Sequence, residues 1–463
     1  MTITRRLLAA SAFTFPLLLS AQTRDTNPAV DALFAPWDRP DSPGCTVGVL
    51  QNGQFIYRRG YGLANLDYRL PNGPGMVYYV GSDSKHFTAA SVALLSLAGR
   101  ISLDDDIRKY FPAMPDYGKP VTVRHLVYHT GGVRDIYGLM SLAGKRLEDV
   151  FPDDEALALI ARQKELNFAP GDDYLYSNSG YFLLGQLIKR VTGQSLRVFA
   201  DSAIFKPLGM TRTHFHDDPG HVMPQRAMSY EPAGRDTFRI SYVQNFDKIG
   251  AGGLYTTLDD LRKWDDNFYS KKVGGDAMHR LIHTRAVLNS GDTLAYAFGN
   301  NVSTYRGLRI TEHSGALMGY KADILRFPDQ RFSVLAMCNL GSIDPASIAL
   351  RVADHYLGGA MVQPVPRRAA TTAPTRGPSA PAAEAALTGT YYSDEVEATY
   401  RIRLANGQAL IDRPPGRTDT LVVSSGVYRA AGMTLTFERN AAGQAIAFSI
   451  QAGRVRNIRF VRR

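Results

Sequence analysis

The chain is short of several things, and each shortage narrows what it can be. Cysteine occurs twice in 463 residues, as Cys45 and Cys338, which leaves no thiolate set for a metal centre. After the first 21 residues no apolar run is long enough to cross a bilayer, since a spanning helix needs about 20 such residues. Basic residues outnumber acidic ones, for a formal charge of +10, yet they are scattered. There is no dense basic tract and no nucleic-acid motif, so the charge reads as a solvated surface. His125 and His129 have the i, i+4 spacing of a zinc helix, but the glutamate base of that motif is missing. Thr130-Gly131-Gly132 also stops that helix at once, so no zinc is expected there. The triplet Asp104-Asp105-Asp106 reads as a capped, solvated helix start rather than a ligand set.

What is present begins with Arg5-Arg6, an apolar stretch from Leu7 to Leu19 and a small-residue exit at Ser20-Ala21. That order of basic, apolar and small residues is a secretory signal peptide, over residues 1–21. The expectation is an exported bacterial protein, periplasmic or secreted, which also sets nucleic acid aside as a partner. In such a compartment the two cysteines, each in an apolar strand-like run, are either one disulfide or two buried thiols, and both readings stay open. The length allows two or three domains with at least one sizeable core.

Three stretches carry candidate chemistry. In Tyr78-Tyr79-Val80-Gly81-Ser82-Asp83-Ser84-Lys85 an extended run breaks at Gly81 and enters a dense apolar helix that ends near Gly99. Ser82 then sits at a helix N-terminus with Lys85 one turn on along the same face. A buried lysine is pushed toward its neutral form and could take the Ser82 proton, making the oxygen a nucleophile. Ser-x-x-Lys alone is a weak signal, and a capping serine before a surface lysine explains it equally well. The second stretch is Pro170-Gly171-Asp172-Asp173-Tyr174-Leu175-Tyr176-Ser177-Asn178-Ser179-Gly180, a polar loop opening an apolar helix from Tyr181 to Val191. Tyr176 could move a proton and Asn178 could hold an amide, against the plainer reading of a cap and a packed tyrosine. The third is Leu308 to Ala316, a strand meeting a close backbone approach at Gly315. Within it, His313 by itself is an ordinary structural histidine.

Together these stretches resemble the β-lactamase-related serine hydrolases: class C β-lactamases, D-alanyl-D-alanine carboxypeptidases, related esterases and D-aminopeptidases. Ser82-x-x-Lys85, Tyr176-x-Asn178 and His313-x-Gly315 come in the family's order. Leu103-Asp104-Asp105, His129-Thr130-Gly131-Gly132 and Gly252-Gly253-Leu254 support them. The resemblance implies an α/β sandwich with an antiparallel five-stranded sheet flanked by helices, on which Cys45 and Cys338 lie in neighbouring strands. It implies Ser82 as the acylated nucleophile, Lys85 as its base or base-assisting partner and Tyr176 as the proton relay. Asn178 would orient Lys85 and the substrate, and the amides of Ser82 and Ala316 would form the oxyanion hole. No metal or organic cofactor is implied. The substrate would be a small molecule or short peptide, cell-wall fragments included; the oligomeric state is left open.

His313 departs from the lysine usual in β-lactamases and carboxypeptidases of this group. Losing a charge-assisted contact to a carboxylate costs about 1.5–3 kcal/mol, roughly a ten- to hundredfold handicap against β-lactams. The expectation is therefore an exported serine hydrolase acting on amides or esters, with short D-residue peptides and small esters ahead of a β-lactamase or carboxypeptidase. A catalytically silent cell-wall-binding protein is the rival from another class.

The hydrolase unit is expected over residues 22–362. Residues 363–386, rich in Pro, Ala and Thr, read as a linker. Residues 387–463 hold about eight short alternating strands punctuated by Asn406-Gly407 and Pro414-Pro415-Gly416, a pattern for a small up-and-down β-barrel. This tail resembles the lipocalin-like domain appended to some members of the family.

Overall fold

Asn52 and Gly53 both take positive φ, 52° and 77°, and so turn strand Cys45–Gln51 back into strand Gln54–Tyr61. Asn-Gly reaches that conformation with little strain. The computed structural model describes residues 26–241, 249–362, 385–424 and 427–463. The expected signal segment and nearly all of the expected linker lie outside the described residues.

The hairpin joins an antiparallel sheet in the order Asn301–Tyr305, Leu308–Leu317, Tyr320–Phe327, Phe332–Cys338, Cys45–Gln51, Gln54–Tyr61. That is six strands where five were expected. The addition, Asn301–Tyr305, is an edge strand of partly exposed polar residues and carries no apolar run to announce it. Strand alternation splits the core between the two faces. Val47, Val49, Val334 and Ala336 point to one side, against helices Pro28–Phe34 and Pro345–Leu357. Leu50, Leu335, Met337 and Ile324 point to the other, where helix Ser84–Leu97 and its neighbours lie. Cys45 and Cys338 are register partners on adjacent strands and are joined by a disulfide.

The tail forms a nine-stranded antiparallel sheet, one strand more than expected. Neighbours in sequence pair at every step but one, and the first strand, Gly389–Ser393, also pairs with the last, Val455–Arg462. The sheet is therefore a barrel left open only between Arg417–Thr420 and Val422–Ser424. Its interior is filled by side chains: Tyr391, Phe448, Phe460 and Tyr400 make consecutive ring contacts at 4.9, 5.1 and 4.4 Å.

This barrel packs firmly on the hydrolase unit. Arg134, with a fully buried side chain, donates to Glu395 Oε1 at 2.6 Å and to the Asn457 carbonyl at 3.1 Å. The Lys164 amide donates to the same Glu395 oxygen at 2.8 Å, and Gln163 donates to the Glu395 carbonyl at 3.0 Å. Asn167 bridges to the last hairpin, donating to the Arg454 carbonyl at 3.0 Å and accepting from the Arg456 amide at 2.8 Å. A buried ion pair braced by several further hydrogen bonds holds a surface in one orientation, although Arg134 Nε has no hydrogen-bond partner among the described residues. No described helix is long and apolar enough to cross a membrane.

Candidate active site

Ser82 lies in a single 3-10 turn, Gly81–Asp83, that runs into helix Ser84–Leu97. Two glycines press this turn against strand Leu308–Leu317. Gly81 has a φ of +54°, and a Cβ on it would lie 2.4 Å from the Ala316 nitrogen. A Cβ on Gly315 would lie 1.8 Å from the Val80 carbonyl oxygen and 2.9 Å from the Ser82 nitrogen. No larger residue fits at either position. The contact sets the backbone of Ser82 beside that of Ala316, and both residues line one cleft.

Lys85 points from the first turn of the helix into a dry pocket. Its Nζ lies 3.1 Å from Ser82 Oγ, 3.0 Å from Asn178 Oδ1 and 2.6 Å from the Ala251 carbonyl. Burial pushes its pKa well below the usual lysine range; Asp135 opposes that shift and Arg454 adds to it. The contacts agree with a neutral amine. In the neutral form the two hydrogens go to the two oxygens that can only accept, which leaves the lone pair for the Ser82 hydroxyl to donate to.

Asn178 starts helix Asn178–Thr192, three residues ahead of the Tyr181 start read from the sequence. Its amide and its Nδ2 both donate to Asp135 Oδ2, at 2.7 and 2.8 Å, which fixes Oδ1 toward Lys85. Asp135 also caps the helix Ile136–Leu142 through the amides of Tyr137 and Gly138. His129, at positive φ, accepts from the Ser177 amide at 3.1 Å and lies against the Tyr176 ring with centroids 4.2 Å apart. The histidine is thus a support for the Tyr176 loop. His125 accepts from the Thr122 amide in a capping box. Among the described residues no group of three or more metal-ligating side chains could hold an ion.

Tyr176 is buried, which raises its pKa and keeps it a protonated phenol; its hydroxyl interacts with that of Ser82, without a hydrogen bond of ordinary geometry among the described residues. His313 Nδ1 lies 2.8 Å from the Ser314 carbonyl and must donate there, so Nε2 accepts from Tyr296 at 3.3 Å. Burial lowers its pKa to about 3. It is a neutral imidazole, without the charge of the lysine it replaces.

These residues surround a cleft of about 420 Å³, within the usual range for a small-ligand site. Ser82, Tyr176, Asn178, His313 and Ala316 line it together, with Tyr79, Tyr137, Tyr174 and Tyr296 as aromatic walls. Gly315 acts from behind, through its close approach, and Lys85 from below. Three participants escaped the sequence reading. Asp135 shows only a local capping signal, Ala251 contributes a carbonyl that no side chain advertises, and Arg454 reaches the cleft from the barrel.

The family described as Beta-lactamase matches residues 30–356. A D-aminopeptidase of Gluconobacter oxydans is 30% identical over 382 residues, 82% of this chain and 68% of that protein. A D-aminopeptidase of Brucella anthropi is 31% identical over 317 residues, 67% of this chain and 59% of that protein. In fold, the octameric penicillin-binding protein homologue from Pyrococcus abyssi superposes with a TM-score of 0.62 at 21% identity, covering 91% of this chain and 96% of its own. The chain belongs to the β-lactamase family, and it is a serine hydrolase of that family.

Proposed function

We propose that this protein is exported and cleaves amide bonds in short peptides or amides with a D-residue on the acyl side, through an acyl-enzyme on Ser82. The observation that carries the reading is the Lys85 amine, held between two obligate acceptors at 3.0 and 2.6 Å and 3.1 Å from Ser82 Oγ. In this reading Ser82 Oγ attacks the carbonyl carbon and its proton passes to Lys85 Nζ. The oxygen that gains negative charge is met by the amides of Ser82 and Ala316. Tyr176, kept protonated by burial, gives its proton to the nitrogen as the C–N bond breaks, and recovers one from Lys85. A water then attacks the acyl carbon, losing its proton toward the same pair, and the acyl C–O bond breaks as that proton returns to Ser82 Oγ. The D-preference is carried over from the D-aminopeptidase relatives.

The test is a panel of D- and L-aminoacyl anilides, nitrophenyl esters and a chromogenic cephalosporin. D-anilides and esters are turned over, L-anilides and the cephalosporin poorly, and a fluorophosphonate labels Ser82. Efficient cephalosporin turnover with inert D-anilides overturns the reading in favour of a β-lactamase.

A further inference from the structure

Arg454 stands at the tip of the barrel hairpin formed by Ala445–Ala452 and Val455–Arg462, next to Gly453 at a φ of +53°. The tip is held in place by backbone contacts: Asn167 donates to the Arg454 carbonyl and accepts from the Arg456 amide, and the Asp135 amide also donates to the Arg454 carbonyl, at 3.5 Å. Its guanidinium lies over Tyr176, with Cζ 4.6 Å from the ring centroid. The nearest carboxylate is Asp135, whose Oδ2 is 4.0 Å from Nη1 and already accepts both donors of Asn178. Among the described residues the guanidinium donates no hydrogen bond, so its forked donor set is unspent. Among the described residues that line the cleft, Arg454 alone carries a permanent charge. Burial lowers the pKa of Lys85 and takes His313 down to about 3, so the fixed positive charge of the described lining comes from the barrel.

We propose that Arg454 is a specificity residue that binds a carboxylate of the substrate, on the side of the leaving group. This rests on the reading above, in which Tyr176 delivers the proton to the leaving nitrogen, because Arg454 and Tyr176 are in contact. The leaving half is then an amino acid or short peptide with a free C-terminus, and a plain amide is the poorer substrate. The barrel supplies the charge that His313 withholds, from a different direction. A planar guanidinium matches a carboxylate with two parallel hydrogen bonds, where a neutral imidazole offers at most one.

The experiment compares the dipeptide of two D-alanines with its C-terminal amide on the full chain. The guanidinium is half exposed, and water screens it, so the expected preference for the free carboxylate in kcat/KM is about tenfold, the low end for a charge-assisted pair. Arg454→Ala brings that ratio near one by raising KM for the dipeptide, and Arg454→Lys keeps part of it. A role in merely supporting Tyr176 would slow both substrates alike. A ratio near one in the wild type, or the same ratio in Arg454→Ala, overturns the proposal. Calorimetric binding of the two compounds to the Ser82→Ala protein, with and without Arg454→Ala, reads the carboxylate contact without turnover. A preference there that needs Arg454 upholds the proposal even if the wild type cleaves neither compound, an outcome that overturns the hydrolase reading alone. No preference there overturns the proposal.

Discussion

The floor and the rim of the cleft each place a basic side chain on the Tyr176 ring, and the two are opposites. Lys85 Nζ lies 4.8 Å from the ring centroid and Arg454 Cζ 4.6 Å. Lys85 rises from a buried helix, is surrounded by three oxygen partners, and has its pKa pushed well down by the loss of water around it. Arg454 stands half exposed on a hairpin tip with its donors free. Proton transfer needs a base that can exist without its proton, and only a dry site provides one. Selecting a substrate charge needs a cation that keeps its own, and the wet rim provides that.

The comparison is broken most forcefully by exchanging the two residue types. Ser82→Ala reduces hydrolysis to background. Lys85→Ala lowers kcat/KM on a D-aminoacyl anilide by about 10²–10⁴-fold, the range for loss of a positioned base. Lys85→Arg gives no rescue, because a guanidinium does not deprotonate in a protein, whereas Arg454→Lys retains activity. An active Lys85→Arg enzyme would mean that charge, not basicity, is what position 85 supplies.

The next effect is on stability and concerns how the rim is held over the floor. Glu395→Ala leaves the Arg134 guanidinium buried with no carboxylate partner of its own depth. Removing one member of such a pair costs about 3–5 kcal/mol, read from urea unfolding. Glu397→Ala, which loses an exposed contact to Arg162 at 3.0 Å, costs about 0–1 kcal/mol. Arg134 adjoins Asp135, so Glu395→Ala also slows turnover, through Asn178 and Lys85. Equal stability losses in the two variants would show that the barrel is only tethered.

That coupling marks the limit of what the sequence made legible. Ser82, Lys85, Tyr176, Asn178 and the glycine at 315 could be read because each sits at a local event: a turn into a helix, a loop into a helix, a strand touched by another backbone. The hairpin at Asn52-Gly53 and the cap at Thr257, which accepts from the Asp260 amide at 3.3 Å, are local events of the same kind. Asp135 and Arg454 act across the fold. Asp135 caps its own helix, and nothing local says that its second oxygen holds Asn178. Arg454 is one arginine among many in a tail of alternating strands, and only the docking of that tail aims it at the cleft. The sixth strand, Asn301–Tyr305, was missed because pairing with its neighbour, and not its own composition, makes it a strand.

The smallest effect separates floor from rim by pH. Asp83, next to Ser82, is buried; among the described residues neither of its oxygens has a hydrogen-bond partner, and His313 Nδ1 is 3.9 Å away. Burial first, and then the Asp323 carboxyl, push its pKa well above 3.8, while Lys85 pulls it down. The folded protein therefore keeps a proton on Asp83 that the unfolded chain releases as pH rises past that value. Between the two pKa values the folded state binds more protons, so stability falls with rising pH. The contribution is complete below the unfolded value and is lost as pH climbs through the folded one. Asn cannot titrate and has nearly the same shape. Asp83→Asn should thus gain Tm relative to wild type on going from pH 3.5 to pH 7, whatever constant offset the amide brings. Arg454→Ala removes a charge that does not titrate in this range, and its Tm difference should stay flat. A flat difference for Asp83→Asn would mean that the Asp83 carboxyl is ionised in the folded protein, and that the cleft floor is not dry enough to hold Lys85 neutral by burial.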